Sequence, residues 1–268
     1  MSTSKSYTLI TGATSGIGYE LAKLFAADGH NLVIVAREQE GLDRAATELR
    51  EIGVEVVTLA KDLFQKNTAH QIYSLLQAKG IQVDILVNDA GQGLYGEFID
   101  TDLARELDII QLNITSLVSL TKYFVRDMVS RGSGKILNLS SIASKSPGPW
   151  QSVYHGTKAF VQSFTEAIRS ELKDKGITVT ALLPGVTDTD FFNKADMNSS
   201  KAVQDKEAMA NPADVAKDGY KALMAGDDMV ISGFNNKVQV AIGAVTPDSM
   251  QADMTGKKQE PVGHEENS

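Results

Sequence analysis

Seven short runs of Val, Ile and Leu recur along the chain, separated by six longer amphipathic stretches. The runs cover residues 7–11, 31–36, 54–60, 84–88, 135–140, 177–183 and 229–232. Most are near-continuously apolar and do not alternate with polar residues, the pattern of parallel strands buried on both faces. Helix candidates fill the intervals at 16–29, 38–52, 65–79, 101–131, 152–175 and 212–225. Parallel neighbours need crossover connections, so this alternation predicts an α/β fold: a doubly wound, seven-stranded parallel sheet with helices on both faces. At 268 residues and 42% apolar, the chain fits a single domain over 1–254 better than two small ones.

Composition removes several function classes. A net charge of -8 argues against a nucleic-acid partner. Cysteine is absent, so disulfides, thiolate metal sites and Cys nucleophiles are excluded. His30, His70, His155 and His264 are scattered without ligand spacing, and no metal site is expected. The polar N-terminus lacks an apolar leader and no window approaches a membrane span, which sets the cytoplasm as the expected compartment.

Three segments stand apart. The fourth helix candidate carries Leu103, Leu107, Ile110, Ile114, Leu117, Phe124 and Met128 at helical spacing. The fifth has apolar residues on more than one side, among them Phe160 and Phe164, which suits either a second subunit or a broad core-facing stripe. Residues 188–211 form a polar-rich insertion containing Phe191, Phe192, Met197 and Met209, long enough for a substrate lid. Residues 255–268 are hydrophilic and are expected to be a disordered tail.

Between the first run and the first helix lies Thr11-Gly12-Ala13-Thr14-Ser15-Gly16-Ile17-Gly18. A glycine-rich turn from strand to helix lets the backbone approach a pyrophosphate, and the helix N-terminus adds free N–H groups and a favourable dipole. This gives the sheet a Rossmann-type reading. The spacing is Gly-x-x-x-Gly-x-Gly, weak alone and strengthened by its place in a βαβ unit. The second run closes on Ala36 and Arg37, where a reader of an unphosphorylated ribose would place a carboxylate. A guanidinium there suits a 2′-phosphate, favouring NADP(H) over NAD(H).

Downstream, Tyr154 and Lys158 stand four apart and share a helix face, with Ser141 thirteen residues before Tyr154. A nearby ammonium would lower the phenol's pKa, and the phenol could then exchange a proton with an alcohol or carbonyl. The Ser141 hydroxyl could stabilise charge on the substrate oxygen.

These motifs, with Asp62, Asn88-Asp89-Ala90-Gly91, Asn113 and Pro184-Gly185-x-x-x-Thr189, resemble the short-chain dehydrogenase/reductase family, in family order over residues 11–189. The resemblance implies Tyr154 as general acid/base. Lys158 would assist it and hold the nicotinamide ribose. Ser141 would orient the carbonyl, and Asn113 would hold a relay water. It implies cofactor contacts from Gly12, Thr14, Ser15, Gly16, Ile17, Gly18, Asp62, Leu63, Asn88, Ala90, Gly91, Pro184, Gly185, Val186 and Thr189, with Arg37 of the NADP-preferring type. It implies a homotetramer or homodimer. The chain departs from the pattern at Asp89, where the family usually has Asn, at the non-basic Ser15, and in its C-terminal extension.

The expected function is hydride transfer between NADP(H) and a ketone, aldehyde or secondary alcohol, resembling bacterial carbonyl reductases. Leu94, Trp150, Phe191 and Phe192, with Ser141, are the candidate substrate contacts for a medium-sized apolar carbonyl compound. His155 is given no catalytic part. Two other readings are an oxidative dehydrogenase of a hydroxyacid or hydroxysteroid, and an NADP(H)-binding regulator without turnover. The second is disfavoured because the complete Asn113, Ser141, Tyr154 and Lys158 set is present.

Overall fold

In the computed structural model, which describes residues 6–263, the apolar runs form one sheet of seven parallel strands in the order β3-β2-β1-β4-β5-β6-β7. They are β1 Ser6–Thr11, β2 Asn31–Ala36, β3 Val56–Ala60, β4 Gln82–Asn88, β5 Gly134–Leu139, β6 Ile177–Leu183 and β7 Met229–Ile231. The helices are α1 Gly16–Ala27, α2 Gln39–Glu51, α3 Thr68–Ala78, α4 Leu103–Ile110, α5 Leu117–Arg131, α6 Ser152–Leu172, α7 Phe191–Lys194, α8 Pro212–Ala225, α9 Phe234–Gly243 and α10 Asp248–Gln259. The expected doubly wound α/β fold is therefore the observed one.

Successive strand residues face opposite layers. Ile10, Ile34 and Leu137 pack with Leu21 and Phe25 of α1, Leu42 of α2 and Leu223 of α8. Leu9, Val33 and Ile136 pack with Ile72 of α3, Phe124 of α5 and Leu172 of α6. Two apolar layers thus cover both faces, which is why the strands read as unbroken Val, Ile and Leu. The chain winds outward from β1 to β3, then returns to build β4 to β7 on the other side. Order reverses between β1 and β4, and the crevice beyond their C-terminal ends is the expected binding place in such a sheet.

Local chemistry sets the helix ends. Asn211 caps α8 by accepting from Ala213 N, Pro212 occupies the first turn, and Gly226 closes the helix at φ 84°. The long helix expected over 101–131 is interrupted by a π-helical segment, Gln111–Ser116, between α4 and α5. Its expected apolar repeat is only half buried: Leu117, Phe124 and Met128 are core, whereas Leu103 and Leu107 are 67% and 54% exposed.

The insertion at 188–211 builds a small core of its own from Ala195, Met197 and Val203 against Tyr95, Phe191, Phe192 and Met209. The tail corrects the expectation of disorder. Residues 255–259 complete α10, and Pro261 bridges Ser200 in antiparallel fashion. Main-chain bonds run from Val262 N to Ser199 O at 2.8 Å and from Lys201 N to Glu260 O at 3.0 Å, and Lys201 also pairs with Glu260. Composition carried no sign of this, because the order comes from hydrogen bonds to a distant segment. Residues 264–268 lie outside the described residues. No helix among the described residues is long and apolar enough to cross a membrane.

Candidate active site

A single cavity of about 1140 Å³ runs along the C-terminal ends of the central strands. At one end lie Arg37, Lys61, Asp62, Leu63 and Phe64; at the other lie Ser141, Tyr154, Lys158 and Phe191. The glycine loop spans the distance between them. Gly12 and Gly16 adopt φ of 76° and 58°, a region that favours glycine. A Cβ at Gly12 would crowd Ala90 N at 3.1 Å, and one at Gly16 would meet Thr189 Cγ2 at 3.0 Å. The cradle is therefore shaped for close approach to main chain, and the N-terminus of α1 opens onto it.

Ser141 follows β5, where its Oγ accepts from Ala143 N at 3.1 Å and donates to Pro184 O at 3.4 Å. One face of α6 carries Tyr154 and Lys158, and the ammonium lies 5.7 Å from the centre of the Tyr154 ring. Lys158 Nζ donates to Leu139 O at 2.8 Å. Gly91 brings the parts together, since a Cβ there would stand 3.3 Å from Lys158 Nζ and 3.4 Å from Asn113 Oδ1. Asn113 sits in the π segment, an irregularity common at functional sites. Its amide is committed to Gln92 O, Gln92 N and Thr157 Oγ1.

The electrostatics differ from the sequence expectation. Desolvation pushes the Tyr154 phenol up to about 12, and a hydrogen bond with Ser141 opposes it only in part. Burial pulls Lys158 down to about 8, opposed by the Asp89 carboxylate. The expected lowering of the phenol by the ammonium is not seen; the opposing group is Ser141, and burial prevails. In this state Tyr154 is protonated across the neutral range.

The comparisons with known proteins agree with this arrangement. A family model described as short chain dehydrogenase matches residues 6–200. The chain belongs to the short chain dehydrogenase family. It is 29% identical over 251 residues to a ketoacyl reductase of Nostoc sp., covering 90% of this chain and 85% of the relative. It is 37% identical over 185 residues to sulfoacetaldehyde reductase 2 of Chromohalobacter salexigens, covering 68% and 73%. A short-chain dehydrogenase from Sphingobium yanoikuyae, solved in complex with NADPH, superposes with a TM-score of 0.80 at 27% identity, covering 98% of this chain and 99% of that one.

Within this short chain dehydrogenase most expected cofactor contacts line the cavity: Gly12, Thr14, Ser15, Gly16, Ile17, Arg37, Asp62, Leu63, Ala90, Gly91, Pro184, Gly185, Val186 and Thr189. Asn88 does not. It is 3% exposed and turned into the protein, donating to Thr121 Oγ1 at 3.0 Å and Asn138 Oδ1 at 2.9 Å, so it braces β4 against β5. Gly18 is also buried behind the loop, where a Cβ would stand 2.7 Å from Gly12 O. Leu94 is core, 5% exposed. Trp150 stacks on Tyr95 at 5.8 Å and is not among the residues lining the cavity. Phe191, which packs on Tyr154 at 5.2 Å, and Phe192 do line the pocket.

Gln151, His155 and Gln259 also line the cavity, though none is assigned a part in the site from sequence. Beside them Gly93 leaves room that Phe191 Cζ, 2.9 Å from its would-be Cβ, and Gln151 Nε2, at 3.2 Å, occupy. His155 reaches the cavity through Nε2, which accepts from Gln259 Nε2 at 3.1 Å while Nδ1–H donates to Ser146 O at 2.8 Å. Gln259 O in turn accepts from Tyr95 Oη at 2.6 Å and from Ser200 Oγ at 2.8 Å. Phe234 and Asn236 of α9 close the wall near Gly185. No local motif marks these positions, which meet only because α9 and α10 fold back over the pocket.

Proposed function

We propose that this short chain dehydrogenase is an NADP(H)-dependent reductase of ketones or aldehydes, with Tyr154 as its general acid. The observation that carries the reading is the joint presence, in one cavity, of the glycine cradle and the Ser141, Tyr154 and Lys158 constellation. The cradle and the long cavity fit an extended dinucleotide. Gly12 to Ile17 would hold its pyrophosphate, Asp62 and Leu63 the adenine, and Val186 and Thr189 the carboxamide. When bound, the nicotinamide supplies the hydride.

The rest belongs to the protein. Ser141 donates to the substrate oxygen and holds the carbonyl beside the phenol. Tyr154, kept protonated by desolvation, gives its proton to that oxygen as charge develops there. A neutral phenol is the form that donates the proton in reduction, and the same group accepts it back in oxidation. Lys158 supplies positive charge next to the phenol and a route for its reprotonation. With the Asn113 amide committed to Gln92 and Thr157, a relay water is left to main-chain groups of the π segment. Phe191 and Phe192 present an apolar wall suited to a medium-sized apolar substrate, and desolvate the phenol.

The preference for NADP(H) rests on Arg37. Its guanidinium lies over the Phe64 ring at 5.4 Å, with Lys61 on the same wall. Arg37→Asp is expected to shift the ratio of NADPH to NADH affinity by about 100-fold toward NADH, the size of a lost charge-assisted pair. Equilibrium titration with both cofactors checks this; an unchanged ratio would mean that another group reads the 2′-phosphate.

Assembly as a homodimer or homotetramer belongs to the same proposal. Leu103 and Leu107 of α4 and Phe160 of α6 remain exposed, and α4 packs beside α6. Light scattering should give two or four chain masses, and a monomer at micromolar concentration would remove this part.

A further inference from the structure

We propose that Asp89 takes up a proton when a dinucleotide settles on the glycine loop, so that cofactor binding and the charge on this residue are coupled. The inference rests on the dinucleotide reading and extends it to a residue outside the proton-donating set.

Asp89 follows β4 directly, and its main-chain N–H donates to Thr11 Oγ1 at 3.1 Å. That bond seats the side chain behind the loop. A Cβ on Gly12 would lie 2.9 Å from Asp89 Oδ2, and one on Gly18 2.4 Å from the same atom. The carboxylate therefore fills the space that both glycines leave open. The Gly18 N–H is directed at it. Oδ1 is shielded from solvent and has no hydrogen-bond partner. An ionised carboxyl with one orphan, solvent-shielded oxygen bears an uncompensated desolvation cost, and protonation removes the charge that causes it.

The surroundings decide how strongly. Backbone of Gly12 in the β1–α1 loop and of Gly18 in the first turn of α1 approaches Asp89, and from the π segment the neutral Asn113 lies nearby, across Gly91. From α6 comes Lys158, whose charge favours the ionised form. Burial exceeds that attraction and pushes the carboxyl up to about 7. The free protein thus carries a mixture of protonated and ionised Asp89 near neutrality.

Asp89 lines the same cavity as Gly12 and Gly16. A pyrophosphate on the loop brings negative charge to its other side. Like charge disfavours the carboxylate, so the bound state holds the proton to higher pH than the free state. The sign follows from linkage. Binding draws a proton from solvent above about pH 7, and affinity falls there as pH rises.

Calorimetric titration of the full chain with NADPH, in buffers of different ionisation enthalpy from pH 6 to 9, counts these protons directly. Wild type is expected to take up about half a proton or more, with the maximum above pH 7. Asp89→Asn should lose this part of the uptake and keep only proton release by the 2′-phosphate near pH ~6 and any uptake by Lys158 around pH 8. The Kd of wild type should rise about 10-fold relative to Asp89→Asn between acid and alkaline ends, for a coupling of one pH unit. Equal uptake in both proteins would overturn the role of Asp89. Should the variant not fold, a wild-type profile with no proton uptake above pH 7 would overturn it alone. No NADPH binding at any pH would overturn the dinucleotide reading and this inference with it.

Discussion

Tyr154→Phe is expected to lower kcat for carbonyl reduction by about 10³-fold, within the range that a positioned general acid contributes. The substitution removes one oxygen and keeps the ring that packs at 5.2 Å on Phe191 and lies 5.7 Å from Lys158 Nζ. The wall of the pocket should therefore survive, and NADPH affinity should change by less than about 3-fold, because no cradle contact is touched. The two readouts separate roles. Loss of kcat at unchanged cofactor affinity assigns the phenol to proton transfer. Loss of affinity instead would make it a binding residue. Near-normal kcat would remove it from the reaction, and with it the reading of Ser141 and Lys158 as its supports.

The second large effect comes from a glycine that touches nothing in the cavity. Gly18→Ala is expected to weaken NADPH binding by about 100-fold and to destabilise the fold by about 1–3 kcal/mol, the usual range for overpacking. The new methyl would stand 2.4 Å from Asp89 Oδ2 and 2.7 Å from Gly12 O. The first clash can be relieved by a side chain. The second involves main chain of the cradle itself, so the loop must shift where the pyrophosphate would sit. Gly156, on the exposed face of α6, is the control, with nothing within 4 Å of its would-be Cβ. Gly156→Ala should leave binding unchanged and stabilise the helix by about 0.5–1 kcal/mol. Equal binding losses in the two variants would show that the effect is not one of loop geometry. Thermal unfolding and cofactor titration on both give the comparison.

The contrast between these glycines shows what was legible in the sequence. Local periodicity exposed the strands, because a strand covered on both faces has nowhere to put a polar residue. Motif spacing brought Ser141, Tyr154 and Lys158 together, because two are fixed by helix geometry and the third by a strand end. Asn88 and Trp150 lie off the cavity wall for a shared reason. Each has a side chain equally able to line a cavity or to brace neighbouring segments, and only the packing of β5 and of Tyr95 decides between those uses. The electrostatics of Tyr154 also escaped, since the sequence displays the lysine and hides the burial that raises the phenol. The far wall of the pocket was legible only as a C-terminal extension at 235–245 able to cap the site, and its partners were not. Gln259 meets His155 across 104 positions, and nothing local to either announces the other.

The central claim is hydride transfer to a carbonyl, and isotope transfer tests it most directly. The protein would be incubated with NADPH deuterated at the nicotinamide C4 and a panel of ketosteroids, α-diketones, aromatic aldehydes and β-ketoesters, followed by mass spectrometry of the alcohols. Deuterium on the carbinol carbon of at least one product, absent with Tyr154→Phe, is the predicted result. Binding of NADPH without deuterium in any product would contradict the account and leave a protein that holds the cofactor without using it.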